Sequence, residues 1–444
     1  MNRIYQAVEK HRDRILKAER YLWANPETGY KEFKSSRYME EQFRALGYEP
    51  VLAEGITGFY TVLDTGRPGP EVMILAELDS IICPAHQEAD PTTGAVHSCG
   101  HHAQCATLLG IAAALKEEGM LDDLSGRIRL CVVPAEELLE IEYRMSLMQA
   151  GKIKYFGGKP EFLHRGYFDG VDVAFMVHTS GQYGVSVGAV GCIAKKITYK
   201  GKAAHAGGSP WKGRNALYAA NCGLNAVNAI RETFREADLI RVHPIMTAGG
   251  DMVNAIPETV TLESYVRGAT FEGIADANKK VNRALIGAAL SLGTNVEIVD
   301  MPGYAPLHND VGMIEVAREA YAVICPEDAE LFQPAPMRTG STDMGDLSCV
   351  MPVIHPYCGG AAGTSHGNDY TIVDTEQACI LNAKWQLIML HTLLKNGGAR
   401  AAKIKADFKP LFASKEEYLH YVDQIHRAGD CIVYGEDGTA TVQL

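Results

Sequence analysis

Apolar positions along the chain switch between helical and strand spacing. Near the start Ile4, Val8, Ile15 and Leu22 share one helical face, and Asn25-Pro26 ends it. A second helix is predicted from about Ser35 to Leu46, closed by Gly47, after which Val51 to Leu63 reads as strands. Glu71 to Ala76 forms a buried strand running into Glu77-Leu78-Asp79, and Ala103 to Glu118 an apolar helix. Ile128 to Val133 is a further buried strand, ending at Pro134-Ala135-Glu136-Glu137, and Val171 to Val177 repeats the pattern up to His178. Strands alternating with helices predict a mostly parallel sheet covered on both faces.

From about Gly184 the rhythm changes. Strand 193–199, helix 215–236, strands 241–246 and 259–266, helix 273–292 and strand 295–299 follow in the order βαββαβ, the signature of a small ferredoxin-like domain. After Pro302 the alternation resumes with a helix over 311–324, a loop over 337–347, a strand near 350–355, the Gly-rich loop Gly359 to Gly367 and a long helix over 376–394. The predicted class is α/β: one domain with a mostly parallel sheet over residues 1–185 and 301–398, interrupted by an inserted α+β domain over 186–300. Residues 399–444 are a C-terminal extension without an assigned role, containing an amphipathic helix near Lys415 to His426 and a hairpin from Cys431 to Val442 turned at Glu436-Asp437-Gly438.

Composition narrows the partners. The 444 residues are 47% hydrophobic and 22% charged, ordinary values for a globular chain of more than one domain. A net charge of -12, from 42 basic and 54 acidic residues, speaks against nucleic acid or an anionic membrane as the partner. The longest apolar run, Leu108 to Leu115, is too short to span a bilayer. The first residues are charged throughout, and the eleven cysteines are odd in number and without framework spacing, so a cytoplasmic location is expected.

Candidate chemistry collects where strands end, at the edge of an α/β sheet where ligands bind. Cys99-Gly100-His101, Glu136-Glu137 and His178 follow predicted strands, and His366 sits in the Gly-rich loop. Taken singly these are more often a buried thiol, structural histidines and a solvated pair of glutamates. Together they suit a borderline divalent ion, because two adjacent carboxylates at a sheet edge need a cation, and one can bind metal while its neighbour moves a proton.

The ordered set Ala76-Glu77-Leu78-Asp79, His97-Ser98-Cys99-Gly100-His101, Pro134-Ala135-Glu136-Glu137, His178, Gly201-Lys202-Ala203-Ala204-His205-Ala206, Asn254-Ala255-Ile256-Pro257, Gly340-Ser341-Thr342-Asp343 and His366 resembles peptidase family M twenty. The resemblance is to its amidohydrolase branch, which acts on N-acyl, indole-acetyl and p-aminobenzoyl amino acids, and it extends from about Asn25 to Leu394. It implies two divalent ions, zinc, manganese or cobalt, ligated by Cys99, His101, Glu137, His178 and His366, with Glu136 as general base and acid. By the same resemblance Asp79 orients a ligand from behind, and the insert is a dimerisation and lid domain. His205 then polarises the scissile carbonyl in the other subunit of a homodimer or dimer of dimers, while Asn254 and Arg267 hold the substrate. The implied substrate is a small amide. A dipeptidase of the same family and a metal-binding protein without activity are the competing readings.

Two departures accompany the resemblance. His102 stands where the family usually has Asp, and is an extra ligand, a replacement for the group that supports a ligand, or a bystander; Leu138 stands where Gly usually follows the glutamate pair. The segment from Tyr143-Arg144 to Gly166, with Gly157-Gly158-Lys159-Pro160, is longer and more basic than the family pattern, and reads as a solvated helix and loop or as a lining of the substrate site.

Overall fold

The computed structural model describes residues 2–443, which divide into two compact units. The first comprises the chain up to Gly188, Leu307–Pro336 and Thr342–Lys415; the second comprises Ala189–Pro306, Met337–Ser341 and the chain from Glu416 on.

In the first unit six strands form one sheet in the order Val51–Leu52, Phe59–Asp64, Arg127–Val133, Glu71–Glu77, Val173–Phe175, Val353–Ile354. Glu71–Glu77 pairs in parallel with Arg127–Val133 and with Val173–Phe175, which pairs in parallel with Val353–Ile354. The two strands at the other edge are antiparallel. Glu71–Glu77 is buried along its whole length, as a strand covered on both faces must be, which explains its unbroken apolar run. Helix His101–Leu115 is buried on every side, consistent with apolar residues around its full circumference. Because the central strands are parallel, their carboxyl ends, and the loops that follow, emerge at one edge.

Element boundaries depart from expectation at both ends of this unit. The first helix is two, Asn2–Lys10 and Arg12–Trp23, parted at His11, whose Nε2 lies 2.8 Å from Glu117 Oε1. The late helix opens with a wider turn over Glu376–Leu381 and continues as Asn382–Asp407, broken where Asn396, Gly397 and Gly398 take positive φ.

The second unit carries an antiparallel sheet in the order Arg241–Val242, Thr259–Gly268, Gly191–Lys200, Asn295–Tyr304, with Ile245–Ala248 also paired to Thr259–Gly268. Helices Ala216–Ala229 and Phe271–Ser291 pack with it around Tyr199, Leu262, Val281 and Leu285. The alternation of buried and half-exposed residues along Thr259–Gly268 reflects a sheet with one face in the core. The hairpin Ile432–Tyr434 with Ala440–Val442 belongs here too. Cys431 N donates to Val296 O at 2.8 Å, and Cys431 and Ile432 enter the core of this unit.

Candidate metal centre

The glutamate pair sits on a strained turn. Strand Arg127–Val133 ends at Pro134, and Ala135 takes φ 54°, a left-handed conformation that a residue with a Cβ adopts only when its surroundings enforce it. They do so through hydrogen bonds: Ala135 N donates to Glu32 Oε1 at 2.8 Å, Gly158 N donates to Ala135 O at 3.1 Å, and Glu137 N donates to Asp79 Oδ2 at 2.8 Å. Glu136 and Glu137 are both buried.

Cys99 and His101 flank Gly100, which opens helix His101–Leu115 with φ 92°. Only glycine fits there, since a Cβ would come within 1.9 Å of Thr179 Oγ1. Asp79, just beyond strand Glu71–Glu77, accepts at its Oδ1 from His101 Nδ1 at 3.2 Å while its backbone oxygen lies 2.9 Å from the same nitrogen. One aspartate thus orients the His101 ring, leaving Nε2 forward, and anchors the Glu137 backbone.

Two groups of ligand atoms result. Those of Cys99, His101 and His178 lie within 4.8 Å of one another, as do those of Cys99, Glu137 and His366. Cys99 is common to both. Its Sγ is 3.2 Å from His178 Nε2, and His366 Nε2 is 3.0 Å from Glu137 Oε1. A third group joins Glu77, His101 and Glu136, with His101 Nε2 at 3.2 Å from Glu77 Oε2 and 3.9 Å from Glu136 Oε2. His101 Nε2 and Glu137 Oε1 are buried yet make no well-aligned hydrogen bond, the state expected of atoms that face a cation. Thiolate, imidazole and carboxylate donors together fit a divalent ion of the zinc, manganese or cobalt type.

Electrostatics sharpen the roles. Burial and the Glu137 carboxylate would raise the Cys99 thiol, but the His101 and His178 imidazoles outweigh them and bring it down to about 6, favouring thiolate. Burial, with Glu77, Glu137 and Asp343 adding to it, pushes Glu136 well above the carboxylate range. Burial also opposes ionisation of Glu137, yet the His366 imidazole draws it down to about 2. The adjacent carboxylates are therefore pushed apart, one toward proton uptake and one toward permanent charge.

His102 is not among these groups. Its ring turns to the other side of the helix, toward Glu19 Oε1 at 3.4 Å and the Trp23 ring at 4.9 Å, because consecutive helical residues point in different directions. It contributes no ligand atom to the three groups described above. The basic segment is divided: Lys152 and Lys154 are exposed, whereas Arg144 and Lys159 are buried, and Arg144 Nη2 donates to the backbone oxygen of Glu137. Glu77, Lys159 and Asp343 received no role from sequence. Glu77 ends a strand as the other acids do, whereas nothing local separates Lys159 from a surface lysine.

The remaining candidates lie in the second unit. His205 is exposed, and its Nδ1 accepts from the Gly207 and Gly208 amides at 3.2 and 3.0 Å. The neutral ring thereby carries its hydrogen on Nε2. Ala206 N donates to Asn254 O at 2.9 Å, bringing Asn254 beside His205. Arg267 donates through Nη1 to Ser341 Oγ at 2.9 Å and through Nε to His243 at 3.1 Å.

Among the described residues no helix is long and apolar enough to cross a membrane. Residues 74–382 match the profile of peptidase family M20/M25/M40. The human Xaa-Arg dipeptidase is 28% identical over 82% of this chain and 81% of its own. The indole-3-acetyl-aspartic acid hydrolase of Enterobacter agglomerans is 27% identical over 67% of this chain and 76% of its own. A dinuclear metal-binding peptidase of the family from Bacillus subtilis superimposes with a TM-score of 0.64 at 20% identity, covering 87% of this chain and 99% of that one. The match spans every ligand group described above, and the chain belongs to peptidase family M20/M25/M40, whose members are hydrolases of amide bonds.

Proposed function

We propose that the protein is a metal-dependent amidohydrolase that cleaves the amide bond of an N-acyl or aryl-acyl amino acid or a similar small conjugate. The observation that carries this reading is the sharing of Cys99 by two groups of ligand atoms beside the buried carboxylate pair Glu136 and Glu137, whose proton affinities are shifted in opposite directions. Cys99, His101 and His178 would hold one divalent ion, and Cys99, Glu137 and His366 a second. When bound, such ions act as Lewis acids toward the attacking water and the scissile carbonyl. Glu136 takes the proton of that water on its carboxylate and returns it to the nitrogen of the leaving amine. Asp79 keeps His101 in one tautomer and the Glu137 backbone in place while this happens.

The first unit serves in this reading as the catalytic domain and the second as a dimerisation and lid domain. Trp211, Tyr218, Ile245, Met252 and Val253 are exposed apolar residues of the second unit, a composition suited to association. His205 of the partner subunit donates Nε2–H to the carbonyl oxygen as charge develops there. Arg267, a planar fork already anchored on Ser341 and His243, accepts the carboxylate of the amino-acid half, and Asn254 binds the carbonyl or carboxylate beside His205.

Hydrolysis of N-acyl, aryl-acyl and dipeptide substrates with added manganese, zinc or cobalt, read as released amine, tests the reading. Cleavage of an acyl amino acid that is abolished by chelation is expected. An undiminished rate after chelation overturns the reading. Selective cleavage of Xaa-Arg dipeptides supports the second reading, a dipeptidase, which the likeness to the human Xaa-Arg dipeptidase over most of both chains favours.

A further inference from the structure

We propose that Lys159 is a positioning residue of the hydrolytic centre: its buried ammonium, lying between Glu77 and Asp343, fixes Glu77 against His101 and so sets how His101 and Glu136 face the reacting atoms. The proposal rests on the amidohydrolase reading above. Lys159 is 0% exposed. Its Nζ donates to Glu77 Oε1 at 2.5 Å and to Asp343 Oδ1, and its backbone N–H donates to Asp343 Oδ2 at 2.9 Å. The other oxygen of Glu77 accepts from Gln104 Nε2 at 3.0 Å and lies 3.2 Å from His101 Nε2. A single carboxylate therefore separates the lysine from a metal-ligand histidine.

The backbone is shaped to deliver this lysine. A Cβ at Gly158 would come within 1.7 Å of Pro134 O, so only glycine lets this stretch lie against the turn that carries Glu136 and Glu137. From there Gly158 N donates to Ala135 O, while Arg144 of the same segment donates to Glu137 O. The segment from Tyr143 to Gly166 thus holds the turn that carries Glu136 through both Ala135 and Glu137. Burying an ammonium is unfavourable unless it is fully paired, and an apolar side chain of similar volume usually stabilises a core as well or better. A cation paired with the buried carboxylates of Glu77 and Asp343 has instead a job that only charge performs. It holds one oxygen of Glu77 while the other faces His101, within the group that Glu77 forms with His101 and Glu136.

The test uses the full chain loaded with cobalt, whose visible bands report the ligands and their arrangement. Three variants are compared with wild type: Lys159→Met, the charge-matched Lys159→Met/Asp343→Asn, and Glu77→Gln, which keeps Lys159 paired with Asp343 and guards against loss of fold in the other two. Folding is checked by circular dichroism, and kcat and KM are measured on the amide that wild type cleaves best. Expected are shifted cobalt bands in every folded variant and a kcat lower by about 10–100-fold with KM nearly unchanged. Folded variants with wild-type bands and wild-type kcat overturn the proposal, as does a change confined to KM. A wild-type protein that binds cobalt but cleaves no amide sinks the functional reading instead, and the bands still decide whether Lys159 sets the geometry.

Discussion

Glu136 and Glu137 are chemically identical neighbours that the fold makes different. His366 faces Glu137 at 3.0 Å, while Glu136 is surrounded by the charges of Glu77, Glu137 and Asp343. Glu136→Gln preserves shape and removes the proton carrier, so we expect a folded protein with normal metal content and turnover lower by about three orders of magnitude. Turnover near wild type, measured as released amine, would take Glu136 out of the mechanism. Cys99 poses a different question because both ligand groups include it. Cys99→Ala should lower the content of both ions together, and elemental analysis of protein purified without chelator checks this; loss of one ion alone would mean that the thiolate serves only one group.

Between residues and fold stands the turn after strand Arg127–Val133. Its left-handed Ala135 stores strain, on the order of 1–3 kcal/mol for such a backbone, that Glu32, Asp79 and Gly158 hold in place through hydrogen bonds from three separate elements. Gly158→Ala forces a methyl into the Pro134 carbonyl and should destabilise the protein by about 1–3 kcal/mol. It should also lower turnover, because the turn that must shift is the one bearing Glu136, the base in the proposed mechanism. Thermal melting and kinetics on the same preparation test both parts, and a variant with unchanged melting temperature and activity would show that the contact is slack. Much of this element was legible beforehand: the strand, its end at Pro134 and the paired acids all follow from local pattern. What was not legible is the clamp, since Glu32, Asp79 and Gly158 come from distant parts of the chain.

For the molecule as a whole, the open question is assembly. Our reading places His205 and Glu136 of different chains in one working site, so each single variant is inactive for a separate reason. Mixing Glu136→Gln chains with His205→Ala chains should restore part of the activity, because a mixed dimer contains one site with both residues intact. No recovery despite verified subunit exchange, or a strictly monomeric active enzyme in light scattering, would refute the shared site.

Alternating strand and helix spacing, the βαββαβ order and the candidate ligands near strand ends were legible in the sequence itself, because periodicity and strand-end chemistry are local properties that survive without a fold. Tertiary structure alone decided which side chains converge. Helical geometry turns His102 to Glu19 and its neighbour His101 to the metal groups, a difference of direction between consecutive residues that composition does not encode. Packing likewise buries Lys159 and Arg144, which their basic, glycine-rich surroundings mark as solvated. Glu77 and Asp343 compensate the charge of Lys159, while Arg144 donates to the backbone oxygens of Phe156 and Glu137, and only the fold brings Glu77 and Asp343 to Lys159.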